Sequence, residues 1–364
     1  MRESPFVRDH HRPRTAIVTG GAGFIGSAVV RRLRRDGVRV IVLDALTSAG
    51  NQATLEASLG ANSVFIRGDI TDAAMVAEVY RRYRPDAVFH LAAETHVDRV
   101  IDTPMRFVQA NIVGTAVLLD EGLRHWRSLN AVRRDAFRFI HASTDEVFGA
   151  LGSEGVFTPT SPHRPNSPYA ASKSAADQLV RSWYQTFGFP VITTTSSNNF
   201  GPHQFPEKLM PLTIRRALRY DAVRVYGEGV QTRDWLYVDD HADGLVAAWD
   251  RGIPGQTYLF GSGEERQNLH VVGEICSVLD QFAPEEGRPA RSRLIEHVAD
   301  RPGHDFRYAL DISITQNSLA WTPATSFEAG LRRTVGWYLG HQAWCETVLG
   351  GTEVGERLGL GEAA

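Results

Sequence analysis

The residues best equipped for chemistry fall in one run, Phe139-Ile140-His141-Ala142-Ser143-Thr144-Asp145-Glu146-Val147-Phe148-Gly149. It opens with an apolar stretch, as a buried parallel strand does, and ends in a hydroxyl and two adjacent carboxylates before a glycine turn. In an open α/β sheet the carboxyl ends of the strands face the ligand crevice, so Thr144, Asp145 and Glu146 are expected where substrate sits. Two neighbouring carboxyl groups split by repulsion and desolvation into an acid and a base, which is the equipment of proton transfer. Taken alone, the pair fits the cap of a following helix slightly better than it fits chemistry. Tyr169 and Lys173, within Ser167-Pro168-Tyr169-Ala170-Ala171-Ser172-Lys173, favour chemistry: four apart, they share one helix face.

These side chains need a scaffold, and the N-terminal half carries its pattern. Thr15–Thr19 is a short β-branched strand leading into Gly20-Gly21-Ala22-Gly23-Phe24-Ile25-Gly26-Ser27 and then a helical pattern through Val29, Val30 and Leu33. Gly20, Gly23 and Gly26 have the spacing for a tight turn, close approach to a pyrophosphate and close helix packing, with Phe24 and Ile25 opening the helix that faces the phosphates. The next strand, 38–43, ends in Asp44, whose carboxylate accepts from a ribose diol and repels a 2'-phosphate; the predicted cofactor is NAD rather than NADP. Ser63–Arg67 leads to Asp69 and Ile70, expected to flank the adenine, and a strand at 87–91 leads to Ala92 and Ala93, expected to line the dinucleotide. Alternating strands and helices predict an α/β fold, a Rossmann-type doubly wound parallel sheet over residues 1–196.

After a strand at 190–194 the texture changes. Ser197 to Lys208 is polar and punctuated by glycine and proline, and reads as a loop opening a smaller C-terminal α/β substrate-binding lobe. That lobe is expected to take in about 197–224 and 251–364, with a return to the sheet at about 225–250. Asp239 and Asp240 in the return read as a helix N-cap cluster.

At 364 residues and 43% hydrophobic content the chain is long enough for two cores. A net charge of -3 leaves no global attraction for nucleic acid or an anionic membrane. Cys276 and Cys345 lie far apart, outside any metal-ligand spacing, and suit reduced thiols; no metal site is predicted. No apolar run approaches membrane-spanning length, and a cytoplasmic location is expected. Of the 39 basic residues only Lys173 and Lys208 are lysines. Arginine is a poor substitute where a compact ammonium with an adjustable pKa is needed.

Together, the glycine loop, Asp44, Tyr169 and Lys173 resemble the extended short-chain dehydrogenase/reductases that act on sugar nucleotides. Thr144-Asp145-Glu146 narrows the resemblance to the dTDP-glucose 4,6-dehydratase family, and stretches at 46–51, 94–99, 143–149, 198–208, 233–237 and 301–308 carry it along nearly the whole chain. The resemblance implies an NAD-dependent hydro-lyase in which Tyr169 takes the C4 hydroxyl proton and Lys173 lowers the Tyr169 pKa and binds the nicotinamide ribose. Thr144 would bond the C4 oxygen, Glu146 remove the C5 proton and Asp145 protonate the departing C6 hydroxyl. His96, Asn198, Lys208, Leu209, Tyr226, Arg233, Asn268 and Arg301 are the implied substrate contacts, with Tyr226 near the base and two arginines on the diphosphate. A homodimer built from the helices after Pro104 and around Tyr169 is implied as well. The chain departs from the family pattern at Ser48, Val100, Phe200 and His203, and at Arg224, where a proline beside the base is typical. Epimerases and decarboxylases on this scaffold share the tyrosine and lysine but need no acid and base beside Thr144; a 5,6-dehydratase would keep all five. An NAD-sensing binding protein would have lost one of them.

Overall fold

The computed structural model describes residues 14–47, 50–95, 104–300 and 304–350. Strands β1 (Thr15–Thr19), β2 (Arg39–Asp44), β3 (Ser63–Arg67), β4 (Ala87–His90), β5 (Arg138–Thr144) and β6 (Val191–Ser196) follow in chain order, then β7 (Asn198–Phe200), β8 (Val223–Tyr226), β9 (Thr232–Tyr237), β10 (Thr257–Phe260), β11 (Glu265–Gln267) and β12 (Ile295–Val298). Seven of them form one parallel sheet in the order β10-β6-β5-β4-β1-β2-β3. The strand order reverses between β1 and β4, which opens a crevice at the carboxyl ends.

The sheet is buried on both faces because its side chains alternate between two cores. Ile17, Ile41, Val88 and Phe139 pack on one side with Leu118 and Val180. Val18, Val42, Phe89 and Ile140 pack on the other with Val29 and Leu33 of the helix Phe24–Arg35. The helix Pro168–Phe187 is fixed by its ends: the Ser167 hydroxyl accepts from Ala170 N at 3.1 Å, proline occupies the first turn, and Gly188 closes it in the left-handed region.

The return at about 225–250 takes a different form from the one expected. β9 stays out of the main sheet and lies in a separate three-stranded one, β11-β9-β7; the helix Val238–Arg251 makes the return, burying Val238, Ala242, Leu245 and Trp249 against the core of the glycine-loop helix. The open edge of β6 is filled by β10, with Thr257 opposite Thr193, so the last strand of the sheet comes from the stretch assigned to the lobe. Asp239 and Asp240 stand in the first turn of that helix, whose cap position is Tyr237 with no side-chain cap. Asp240 instead accepts from Thr325 N at 2.8 Å and Thr325 Oγ1 at 3.2 Å, tying the lobe to the helix.

The stretch read as a loop at Ser197 to Lys208 contains the short strand β7, parallel to β9 and anchored by Phe200 in the lobe's core with Trp235, Val271, Ile275 and Phe327. β8 and β12 pair in parallel at the edge of that lobe. Among the described residues no helix is long and apolar enough to cross a membrane, and no cluster of His, Cys, Asp or Glu could hold a metal ion. Both cysteines are free and buried.

Candidate active site

The crevice is a cavity of about 700 Å³, a size suited to a small-molecule ligand. Gly20, Gly23, Phe24, Ile25, Gly26, Asp44, Asp69, Ile70, Ala92 and Ala93 line it from the sheet, Thr144, Asp145, Glu146, Tyr169 and Lys173 from its centre, and Asn198 and Lys208 from the lobe. Leu209, Tyr226, Arg233 and Asn268 lie outside the cavity wall, and His96, Arg301, Ser48 and Val100 fall outside the described residues.

The glycine loop is shaped as a cradle. Gly20 has φ +70° and a side chain there would lie 2.6 Å from Ala92 N, while a Cβ on Gly26 would lie 2.1 Å from the Gly20 carbonyl. Gly23 is different: a Cβ would meet only Gly20 O, at 3.3 Å, so the side of the loop toward the cavity is open. Gly23 caps the helix with no side chain, leaving first-turn N–H groups for an anion. Asp44 is held in place by Ala22 N at 2.9 Å and Leu46 N at 2.8 Å, one donor on each oxygen, which leaves lone pairs for a ribose diol. These residues fit a dinucleotide. Gly26→Ala should cost about 1–3 kcal/mol of overpacking, borne by the loop, and so weaken dinucleotide retention by roughly 10- to 100-fold. Cofactor released per mole of purified protein, with circular dichroism as the control for folding, checks it.

At the far end of β5 capping and chemistry coincide. Thr144 caps the one-turn 3₁₀ helix Asp145–Phe148, its Oγ1 accepting from Glu146 N at 3.4 Å, and Gly149 ends the turn at φ +83°. The turn buries Asp145, 3% exposed, and leaves Glu146 half-buried. Burial, then the charge of Glu146, push the Asp145 carboxyl well above the ordinary range, with Arg233 opposing and Asp234 adding to the rise. The unequal depth of the two carboxyl groups therefore makes Asp145 the proton-bearing member. Its Oδ2 has no hydrogen-bond partner among the described residues.

The Thr144 hydroxyl beside Tyr169 favours its ionised form. The sequence reading has Lys173 lowering the Tyr169 pKa; here burial, Glu146 and Asp145 together push the phenol up. The Lys173 ammonium is turned onto Ala142 O at 2.7 Å, and burial lowers it to about 8. Arg233, expected on a diphosphate, donates to Thr232 O at 2.8 Å and Asp305 O at 2.7 Å and stacks 4.5 Å above the Tyr308 ring. Arg224 is exposed on β8, opposite Glu296, on the face away from buried Val223 and Val225. The sequence reading missed Asn111, in the π-helical turn Val108–Val113. Its amide accepts from Glu94 N at 2.9 Å and donates to Ser172 Oγ at 2.8 Å, joining the cavity wall to the catalytic helix; no local pattern marks it. Asp177, also missed, continues the spacing of Tyr169 and Lys173 by another four residues.

A parallel sheet with its order reversed at the crevice, a glycine cradle, an acid at the end of β2 and a Tyr-Lys pair on one helix define an extended short-chain dehydrogenase/reductase. The family model described as GDP-mannose 4,6 dehydratase matches residues 17–334. A dTDP-glucose 4,6-dehydratase of Xanthomonas campestris pv. campestris (strain B100) is 51% identical over 347 residues, covering 95% of this chain and 99% of that protein. Among solved structures, the dTDP-glucose 4,6-dehydratase of Streptomyces venezuelae with NAD and dTDP bound superposes with a TM-score of 0.83 at 39% identity, over 92% of this chain and 99% of that one. The enzyme of the same name from Bacillus anthracis str. Ames, in complex with NAD, gives 0.82 at 34% identity, over 92% and 99%. This chain belongs to the dTDP-glucose 4,6-dehydratase family.

Proposed function

We propose that the protein converts dTDP-glucose to dTDP-4-keto-6-deoxy-glucose by C4 oxidation, elimination of water across C5 and C6, and return of hydride to C6. The observation that carries this reading is the unequal burial of Asp145 and Glu146 beside Thr144 and Tyr169 in one cavity. A sugar's C5 proton is not acidic until C4 is a ketone, so oxidation must come first. The glycine cradle and Asp44 would hold NAD, which when bound would supply the hydride acceptor for C4 and the hydride returned to C6 as C5 is reprotonated. Tyr169 takes the C4 hydroxyl proton while Thr144 holds the C4 oxygen. Glu146, the shallower carboxylate, removes the C5 proton, and Asp145, the buried acid, delivers its proton to the departing C6 hydroxyl. Lys173 offers its ammonium to the nicotinamide ribose, and Asn198 and Lys208 meet the nucleotide from the lobe side.

The sheet half serves the cofactor and the lobe serves the nucleotide sugar, with His96, Leu209, Tyr226, Arg233, Asn268 and Arg301 as its further substrate contacts. Arg224, directed to solvent, leaves the base site compatible with thymine. The protein works as a cytoplasmic homodimer through the helices after Pro104, where Met105 and Val113 are exposed. The test is incubation of purified protein with dTDP-glucose or UDP-glucose, no acceptor added, following water loss by mass spectrometry and the alkali-induced absorbance of a 4-keto-6-deoxy sugar. Dehydration of dTDP-glucose alone is expected. Product from UDP-glucose alone would reassign the base, and no dehydration of either would overturn the reading.

A further inference from the structure

On the catalytic helix Tyr169, Lys173 and Asp177 succeed one another at intervals of four, so the three stack on one face. All are buried, and the two assigned a role leave Asp177 without one. Both oxygens of its carboxylate are nonetheless held by β5. Ser143 Oγ donates to Asp177 Oδ2 at 2.7 Å and His141 Nε2 donates to Oδ1 at 2.9 Å. Between those two residues, Ala142 O receives the Lys173 ammonium at 2.7 Å. Three consecutive strand residues thus grip an acid and a base one helical turn apart. A buried carboxylate costs free energy unless it is bonded and offsets an opposite charge, and this one does both.

We propose that Asp177 is a positioning residue for the dehydration, the fixed counter-charge that keeps the Lys173 side chain protonated one helical turn from Tyr169. The assignment rests on the roles given above to Tyr169 and Lys173. The other groups around the pair leave it that task. His90 of β4 and His141 of β5 are held neutral by burial, reinforced for His90 by His141 and Lys173 and for His141 by Lys173. His90 is committed to Thr19 Oγ1 and Thr115 Oγ1, both at 2.8 Å. His163, bonded to Ser174 Oγ at 2.8 Å, acts on Asp177 only as a minor opposing charge, and Tyr169 is the remaining titratable neighbour on the helix. Burial raises Asp177 to about 6 and lowers Lys173 to about 8, so both are charged in the interval between.

Two lysines in the whole chain make the test direct. Protein labelled with carbon-13 at lysine Cε gives two titrating NMR signals, and Lys208 is the internal control. In Asp177→Asn the Lys173 midpoint should fall by about one pH unit or more, the usual effect of losing an opposite charge nearby, while Lys208 stays put. The alkaline limb of turnover should move down with it, and Asp177→Glu should restore both. Asp177→Ser keeps an oxygen to accept from β5 but removes the charge and should move Lys173 the same way, which keeps the test open if Asp177→Asn does not fold. An unmoved Lys173 midpoint in the folded variants overturns the assignment even in an active enzyme. The titration needs no substrate, so a wild-type protein that fails to dehydrate any sugar nucleotide would be recognised separately as a failure of the functional reading.

Discussion

Asp145→Asn is expected to slow water loss by roughly 10²- to 10⁴-fold while the substrate's C5 proton continues to exchange with solvent, because general acid catalysis typically contributes that much. The amide has the shape of the carboxylic acid but no proton to give. Asp145 is the deeper of two adjacent carboxyl groups, and burial with the nearby Glu146 charge pushes it well above the ordinary carboxyl range. The substitution removes little else: the bond that Thr144 Oγ1 donates to its side chain is a long one, at 3.4 Å. The steps up to C5 deprotonation rest on Thr144, Tyr169 and Glu146 and should survive. Mass spectrometry in deuterated water separates the two events, since exchange adds mass and elimination removes water. Dehydration at the wild-type rate would place the acid elsewhere.

What could be read from the residues follows from how local each signal is. β1 and β3 were bounded correctly, because β-branched apolar runs end in glycine, and Asp44 closes β2 as the pattern requires. The strand end at Thr144 was legible because an apolar run gives way there to a hydroxyl and two adjacent carboxylates. β7, β9 and β11 were not, because strands of three to six residues take their identity from partners far along the chain: Asn198 pairs with Trp235, and Arg233 with Arg266. The main sheet's seventh strand was hidden likewise, since nothing in residues 257–260 says that the edge of β6 is open. The sign of the Tyr169 shift was also out of reach. Residue types supply a neighbouring lysine, but only the packed site shows the burial and the two carboxylates that push the phenol up, and that the ammonium is engaged by Ala142. Asp177 lay in plain helical spacing, yet its meaning depends on β5 presenting His141 and Ser143 to it.

Tyr169→Phe should abolish both C5 exchange and dehydration, a loss of at least roughly 10²- to 10⁴-fold for the general base alone. The phenol is pushed up by burial and by Glu146 and Asp145 and lowered by Thr144, so it takes the C4 proton only after giving up its own, a loss that positive charge nearby favours. Phenylalanine keeps the ring and its edge-on contact with Phe107, 6.3 Å between centroids, and so leaves the helix and the Lys173-Asp177 pair in place. It removes only the oxygen that takes the C4 proton. Without the C4 ketone the C5 proton stays inert, and Glu146, though intact, has nothing acidic to attack. The order of steps then makes a sharper statement than either variant alone: Tyr169→Phe combined with Asp145→Asn should be no slower in exchange than Tyr169→Phe, because a later step cannot limit a reaction that has not begun. Exchange persisting in Tyr169→Phe would mean that Glu146 can take the C5 proton before C4 is oxidised, and the sequence of roles around this cavity would have to be reversed.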